Sequence, residues 1–344
     1  MRHRSLILPH QLDALTPGRR DYFVGMEHPT VWGRFLIPVT VIVGRKAAAG
    51  EGVLAIGATH GDEYEGPVAL KNLLREIRTV DVIGRIIVVP VLNVMAFRTG
   101  TRDTQEDGIN LNRAFPGDPR GSITFRVADF VTRCLFPHVH VVLDIHSGGL
   151  VGRFAPFTEF HKVQDLEQRR SFEATARGFG TRFVQLFQRE TPGMLITHAH
   201  DLEKITVGTE LGWGQSVFPD GVSFARRGVL YAAVLHRQLE GALPDDQPFR
   251  GEEQVLVDTT EHSCSVYARC GGHFEPLIQC GAFVHKRQII GRLHDFDFID
   301  RPAHEISAPH DGYVMFLGLK AKVTQGQVLT QVSVPQEWSY HEDR

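Results

Sequence analysis

The stretch Val53-Leu-Ala-Ile-Gly-Ala-Thr-His-Gly-Asp-Glu-Tyr-Glu-Gly66 decides the fold. Its apolar half reads as a strand crossing a core, and it ends abruptly in a histidine, glycines and three carboxylates. After Ala58 the glycines let the chain turn sharply, which leaves His60 and Glu63 at the strand's exit. Ligands bind at that exit in an open α/β sheet. Downstream, Pro67 suits a first helical turn, and Leu70, Leu73, Leu74 and Ile77 keep helical spacing. Strand, ligand loop and amphipathic helix therefore follow one another.

The same logic extends in both directions. Arg34–Val43 is a β-branched run closed by Gly44, an early strand of the main sheet. Arg85–Asn93 and His140–Gly149 are near-continuously apolar, as strands covered on both faces are. The second of these ends, like the first stretch, in a histidine followed by glycines. Residues 171 to 190 read as helix, Ile205–Gly214 as a strand that delivers Glu210 among glycines, and 224 to 240 as a last helix. Between Asn93 and Ser122 lies a long polar loop with Arg102 and Asn110-Leu-Asn-Arg113, and loops of that length are usually functional or disordered. Ser122 is the expected cap of the helix carrying Val127, Phe130, Val131 and Cys134.

A boundary is expected near Leu243–Pro248, dividing a domain over 1–245 from a small β domain over 252–340 that caps the site entrance. Val284-His-Lys-Arg-Gln-Ile-Ile and Val323-Thr-Gln-Gly-Gln-Val-Leu repeat one pattern, suggesting two related hairpins. Carrier modules with such a duplication need a lysine at a hairpin tip. The expected turn here is His310-Asp-Gly312, so an entrance-capping role is the better reading.

Composition limits the partners. With 344 residues and 42% hydrophobic content the chain can bury a large core, and a net charge of -3 leaves no basic footprint for nucleic acid. No apolar run suits a secretory signal or a bilayer span, and four cysteines without C-x-x-C spacing fit a reducing cytoplasm. A small molecule is the expected partner; self-association is left open.

A zinc hydrolase needs three protein ligands and an open position, and two histidines with one glutamate are a common solution. His60, Glu63 and His146 supply that set. H-x-x-E alone is weak, since the spacing arises by chance; its weight comes from placement at strand exits. Asp62 and Glu65 compete as ligands and read as solvated loop charges. Asp144, two residues before His146, could accept a hydrogen bond from a ligand imidazole. Hydrolysis also needs a base, an oxyanion donor and a cation for any substrate carboxylate: Glu210 is placed for the first role, Arg102 and Arg113 for the others. His198-Ala-His200 reads as a loop near the pocket mouth, and His285, His294, His304 and His310 as surface residues.

His60-Gly-Asp-Glu63, the Arg102 and Asn112-Arg113 loop, Asp144-Ile-His146-Ser-Gly-Gly and Thr209-Glu210-Leu-Gly together resemble the succinylglutamate desuccinylase/aspartoacylase family. Within it, His-Gly-Asp-Glu-Tyr-Glu-Gly-Pro-Val-Ala-Leu, Ala-Phe-Arg-Thr-Gly-Thr-Arg and Leu-Asp-Ile-His-Ser-Gly-Gly are similar to the branch that deacetylates N-acetyl-diaminobutyrate in ectoine breakdown. The resemblance implies one zinc ion per subunit on His60, Glu63 and His146, Glu210 as base then acid, and Arg102 as carbonyl polariser. It makes Asn112 and Arg113 the holders of the substrate carboxylate. It also implies an α/β fold of the zinc carboxypeptidase-like (phosphorylase/hydrolase-like) kind, a mixed sheet flanked by helices, with a C-terminal β domain resembling a barrel-sandwich hybrid. A short-chain N-acyl amino acid is the substrate it suggests. A metallocarboxypeptidase and an inactive binding protein are the alternatives. Where the family pattern has small glycines after the glutamate, this chain has Trp213, expected to narrow or reshape the pocket.

Overall fold

The computed structural model describes residues 4–28, 32–187, 191–244, 248–249 and 253–339. Five strands come first: β1 (Ser5–Ile7), β2 (Gly18–Glu27), β3 (Arg34–Val43), β4 (Val53–Gly57) and β5 (Arg85–Val89). The middle of the chain adds β6 (Val141–His146), β7 (Gly152–Phe154), β8 (Phe157–His161), β9 (Phe183–Phe187) and β10 (Ile205–Glu210). Next come β11 (Val255–Asp258), β12 (Ser265–Tyr267), β13 (Gly272–Pro276), β14 (Phe283–Val284) and β15 (Ile289–His294). The last four are β16 (His304–Ser307), β17 (Gly312–Gly318), β18 (Lys322–Val323) and β19 (Val328–Gln336).

A large mixed sheet runs β1-β2-β3-β5-β4-β6-β10-β8-β9-β11-β19-β17-β14, and a smaller antiparallel sheet runs β16-β15-β13-β18. At the centre of the large sheet, β4 pairs parallel with β5 and β6, and β10 pairs parallel with β6. Alternation along β4 sends Leu54 and Ile56 into one core and Val53 and Ala55 into another, one on each face. Burial on both faces is the physical reason these strands are apolar throughout. Each of the larger side chains, Val53, Leu54 and Ile56, contributes about 1.5–3 kcal/mol by leaving water.

Helices α1 (Glu65–Glu76), α2 (Val94–Thr99), α3 (Ile123–Phe130), α4 (Leu166–Arg177), α5 (Leu195–Asp201) and α6 (Pro219–Leu235) flank the sheet. Among the described residues no helix is long and apolar enough to cross a membrane.

Several expectations need correction. The helix expected over 171 to 190 begins at Leu166, capped by Asp165 accepting from the Gln168 amide, and stops at Arg177. Phe183–Phe187 is a strand paired between β8 and β11, with Phe183, Val184 and Leu186 buried. The last helix starts at Pro219, earlier than expected, because proline suits a first turn. The 93–122 segment is not all loop: Asn93 caps α2 by accepting from the Ala96 amide. Ser122 does not cap α3; its hydroxyl donates to Asp107, whose carboxylate accepts from the Thr124 amide in its place. The boundary expected near 243–248 falls partly outside the described residues, and β11 and β19 continue the large sheet beyond it.

The repeat at 284 and 323 is visible, though not as hairpins. In each copy the glutamine oxygen closes the turn by accepting a backbone amide: His285 to Gln288 at 3.0 Å and Thr324 to Gln327 at 2.6 Å. The flanking strands do not pair with each other. Each turn instead carries the chain between the two sheets, from β14 to β15 and from β18 to β19.

Just past α6, His236 lies against α4. Its Nε2 donates to Thr175 Oγ1 at 2.9 Å, whose own proton goes to the Ser171 carbonyl, and the His140 ring sits 5.4 Å away. Burial, reinforced by His140, pushes His236 down from 6.5 to about 4. The unfolded chain therefore binds more protons between those values, and stability falls as pH drops through that window. The fall amounts to at most about 3 kcal/mol. His236→Gln, which keeps a donor at similar reach, is expected to flatten this part of the pH profile of the urea midpoint; an unaltered slope would exclude His236 as its source.

Candidate functional site

The site is built where β4, β6 and β10 end. After β4, Ala58 adopts a φ of 52°, a left-handed conformation that costs a residue with a β carbon about 1–3 kcal/mol. Amides of Leu92 and Asn93 hold it by donating to the carbonyls of Gly57 and Ala58 at 3.0 and 2.9 Å. Gly61 passes beneath α2 so closely that a β carbon there would meet the Ala96 carbonyl carbon at 2.0 Å. That close passage is why a glycine stands there.

These constraints bring His60 and Glu63 against His146 at the end of β6. Ligand atoms of the three lie within 4.8 Å of one another, and all three side chains are buried. His60 Nδ1 is 2.8 Å from one Glu63 oxygen and His146 Nδ1 is 2.8 Å from the other. The far nitrogens are also held: His60 Nε2 lies 3.1 Å from Asn110 Oδ1, and His146 Nε2 lies 2.8 Å from Asp144 Oδ2. Asp144 in turn accepts from Thr59 Oγ1 at 2.7 Å. Two imidazoles with anchored outer nitrogens and inner nitrogens facing one carboxylate make a donor set that fits a divalent metal such as zinc.

The electrostatics follow from the packing. Burial alone would raise Glu63, but the imidazoles of His60 and His146 override it and hold the carboxyl well below its usual range. Burial holds His60 below its ordinary value despite Glu63. His146, although buried, is pushed well above by Asp144 and Glu63 on either side.

Glu210 ends β10 directly opposite His146 in the parallel register. Its Oε2 has no hydrogen-bond partner among the described residues, and burial followed by the Glu63 charge pushes its carboxyl well above the ordinary range. Arg102 Nη1 donates to Glu63 at 3.3 Å from a side chain 34% exposed. Asn112 is buried; its Oδ1 accepts from the Leu195 amide at 2.8 Å, and its Nδ2 lies 3.4 Å from His146 Nε2. Arg113 donates to the Asn112 carbonyl at 2.6 Å, and burial together with the like charge of Arg102 lowers its pKa.

Asp62 and Glu65 are not solvated. Both are buried, since each reaches across to donors in neighbouring loops: Asp62 accepts from the Leu150 amide at 3.0 Å. Glu65 accepts from the Ser147 hydroxyl at 2.5 Å and the Phe218 amide at 3.1 Å. His198 and His200 sit on α5 rather than a loop, outside the His60–Glu63–His146 cluster. Trp213 stacks on Phe218 beneath the Arg153 guanidinium and lines an adjoining cavity of about 430 Å³ with Phe183 and Phe249.

Sequence reasoning missed Asn110, Gln185 and Glu159. Glu159 lies on β8, opposite Gly208 of β10, and its carboxyl is enclosed by protein although one side stays accessible. Burial pushes it up to about 7. The available signal was a lone acid inside the aromatic run Phe157-Thr-Glu-Phe-His161.

Residues 49–235 match the succinylglutamate desuccinylase/aspartoacylase catalytic domain, which is more than half of the chain. The chain belongs to that family. Its members hydrolyse amides, and this one is an enzyme of that kind, a deacylase. It is 36% identical over 307 residues to an N-alpha-acetyl-L-2,4-diaminobutyric acid deacetylase of Halomonas elongata, covering 88% of this chain and 87% of that one. A succinylglutamate desuccinylase/aspartoacylase from Rhodobacter sphaeroides superposes with a TM-score of 0.88 at 29% identity, over 95% of this chain and 98% of the other. The product-bound ectoine utilization protein EutE (DoeB) from Ruegeria pomeroyi superposes with a TM-score of 0.85 at 32% identity, over 94% and 98% of the two chains.

Proposed function

We propose that this family member is a zinc-dependent deacetylase of small N-acetyl amino acids, with N-acetyl-2,4-diaminobutyrate as first candidate. The observation that carries the reading is Glu210: a half-buried glutamate whose buried Oε2 has no partner among the described residues, in register with His146 of the His60–Glu63–His146 set. Orphaned buried polar atoms need an explanation, and a proton-transfer role supplies one.

In this reading His60, Glu63 and His146 hold one zinc ion, with Asp144 and Asn110 fixing the two rings. Zinc bound there supplies Lewis acidity and a more acidic water. Glu210 takes a proton from the attacking water and passes it to the departing amine nitrogen. Arg102, released from Glu63, polarises the amide carbonyl and stabilises the developing oxyanion. Asn112 suits the substrate carboxylate because its oxygen is committed to the Leu195 amide, which leaves its NH₂ as a donor beside the Arg113 fork. The fold reading extends to a zinc carboxypeptidase-like core, with the two-sheet C-terminal part as a barrel-sandwich hybrid; turns that carry the chain between sheets support it. Four unpaired cysteines agree with a reducing cytoplasm.

The adjoining apolar cavity favours one other reading, a metallocarboxypeptidase that seats a peptide side chain there. A panel of N-acetyl amino acids against dipeptides, run on the zinc-loaded protein, separates them. N-acetyl substrates are expected to exceed dipeptides by about 100-fold or more in kcat/KM. Faster cleavage of dipeptides would replace the deacetylase reading.

A further inference from the structure

Strand register places Asp144 of β6, Gly208 of β10, Glu159 of β8 and Gln185 of β9 in one row across the large sheet. The next row is His146, Glu210, Phe157 and Phe183. Residues directly opposite on paired strands face the same side, so both rows belong to one surface. Rows two residues apart are separated by about 7 Å. Glu159 therefore lies one row below the proposed proton-transfer group, on the same face of the sheet.

Gly208 opens the space for it. A β carbon there would come within 3.1 Å of Glu159 Cγ and 3.2 Å of its Oε1, so the carboxyl leans over β10, toward the metal set. Its one hydrogen bond among the described residues is from Gln185 Nε2 to Oε2 at 3.3 Å. No lysine, arginine or histidine forms an ion pair with it there. Gln185 is itself 6% exposed, and its Oε1 is buried without a partner. The pair thus presents acceptor oxygens that no group of the described chain satisfies. An ammonium, with three donors and no acceptor, is the group whose chemistry matches.

We propose that Glu159, with Gln185, is the subsite for a substrate side-chain ammonium, and that it selects N-acyl amino acids carrying a positive charge on a short side chain. This rests on the deacetylase reading of the same cleft. The row spacing suits a two- or three-carbon arm reaching from an amide held at Glu210 down to Glu159. A carboxylate so enclosed, with no ion-pair partner among the described residues, is costly to charge, and a substrate ammonium offsets that cost on binding. A neutral side chain leaves the carboxyl and the glutamine oxygen unpaired, which is how such a site rejects it.

The test compares N-acetyl-2,4-diaminobutyrate with its uncharged isostere N-acetylnorvaline. Wild type is expected to favour the cationic substrate, and Glu159→Gln to reduce the ratio of the two kcat/KM values by about 30-fold or more, through KM. Equal losses on both substrates, or no change in the ratio, overturn the proposal. So does a wild type that hydrolyses both equally or prefers norvaline; in that case the deacetylase reading stands without this subsite. Calorimetric binding of free 2,4-diaminobutyrate to wild type and to Glu159→Gln needs no turnover. If wild type hydrolyses neither substrate, the deacetylase reading falls, and the subsite survives only if that binding depends on Glu159. Should Glu159→Gln fail to fold, Gln185→Leu, which removes the second acceptor, takes its place with the same expected and overturning results.

Discussion

Glu210→Gln is expected to lower kcat by about a thousandfold while leaving bound zinc unchanged. Glutamine matches glutamate in size and keeps the backbone pairing of Glu210 with His146 and Phe157. Oε2 has no partner among the described residues, so the exchange breaks no hydrogen bond to that atom. What it removes is a group able to accept and return a proton. It also removes a carboxyl whose ionisation is disfavoured first by burial and then by the charges of Glu63 and Glu159. The variant should therefore be at least as stable as wild type in thermal melts, which separates chemistry from folding. Steady-state kinetics at saturating substrate with elemental analysis of zinc checks both halves. A loss in kcat of less than about tenfold would remove Glu210 from the base role.

Replacing Glu63 with alanine should abolish metal binding as well as activity. Four donors converge on this carboxylate: His60, His146, Arg102 and the Ser147 amide. Without it two imidazoles and a guanidinium face one another with no anion between them. Removing one partner from buried ion pairs of this kind costs about 3–5 kcal/mol. Zinc per chain is expected to fall below about a tenth, because three ligands become two, and the melting temperature of the metal-free protein to fall as well. Retention of a full equivalent of zinc would show that the ion is held elsewhere.

The central strands and the clustering of His60, Glu63 and His146 were legible because their signals are local. Strands buried on both faces must be apolar throughout, and Val53–Gly57 and Val141–His146 are. The His60 and His146 endings stood out because polar ligands abruptly follow such runs. Glu159 was not legible for the opposite reason: its importance comes from register with Gly208, contributed by a strand about fifty residues later. Asp62 and Glu65 looked like solvent charges because nothing in their neighbourhood of the chain names the distant amides they accept from. Residues 171 to 190 read as helix throughout; helix and buried strand share an apolar composition, and pairing of Phe183–Phe187 with β8 and β11 makes that part a strand.

Asp62, Glu63 and Glu65 have a joint consequence. The loop after β4 and the first residue of α1 send three carboxylates to the segment after β6 and to the start of α6, accepting from Ser147, Leu150 and Phe218. The protein has thus spent its ordering entropy on this corner during folding rather than on metal capture. A divalent cation entering the His60–Glu63–His146 cluster would meet side chains already arranged, so its uptake would need little reorganisation.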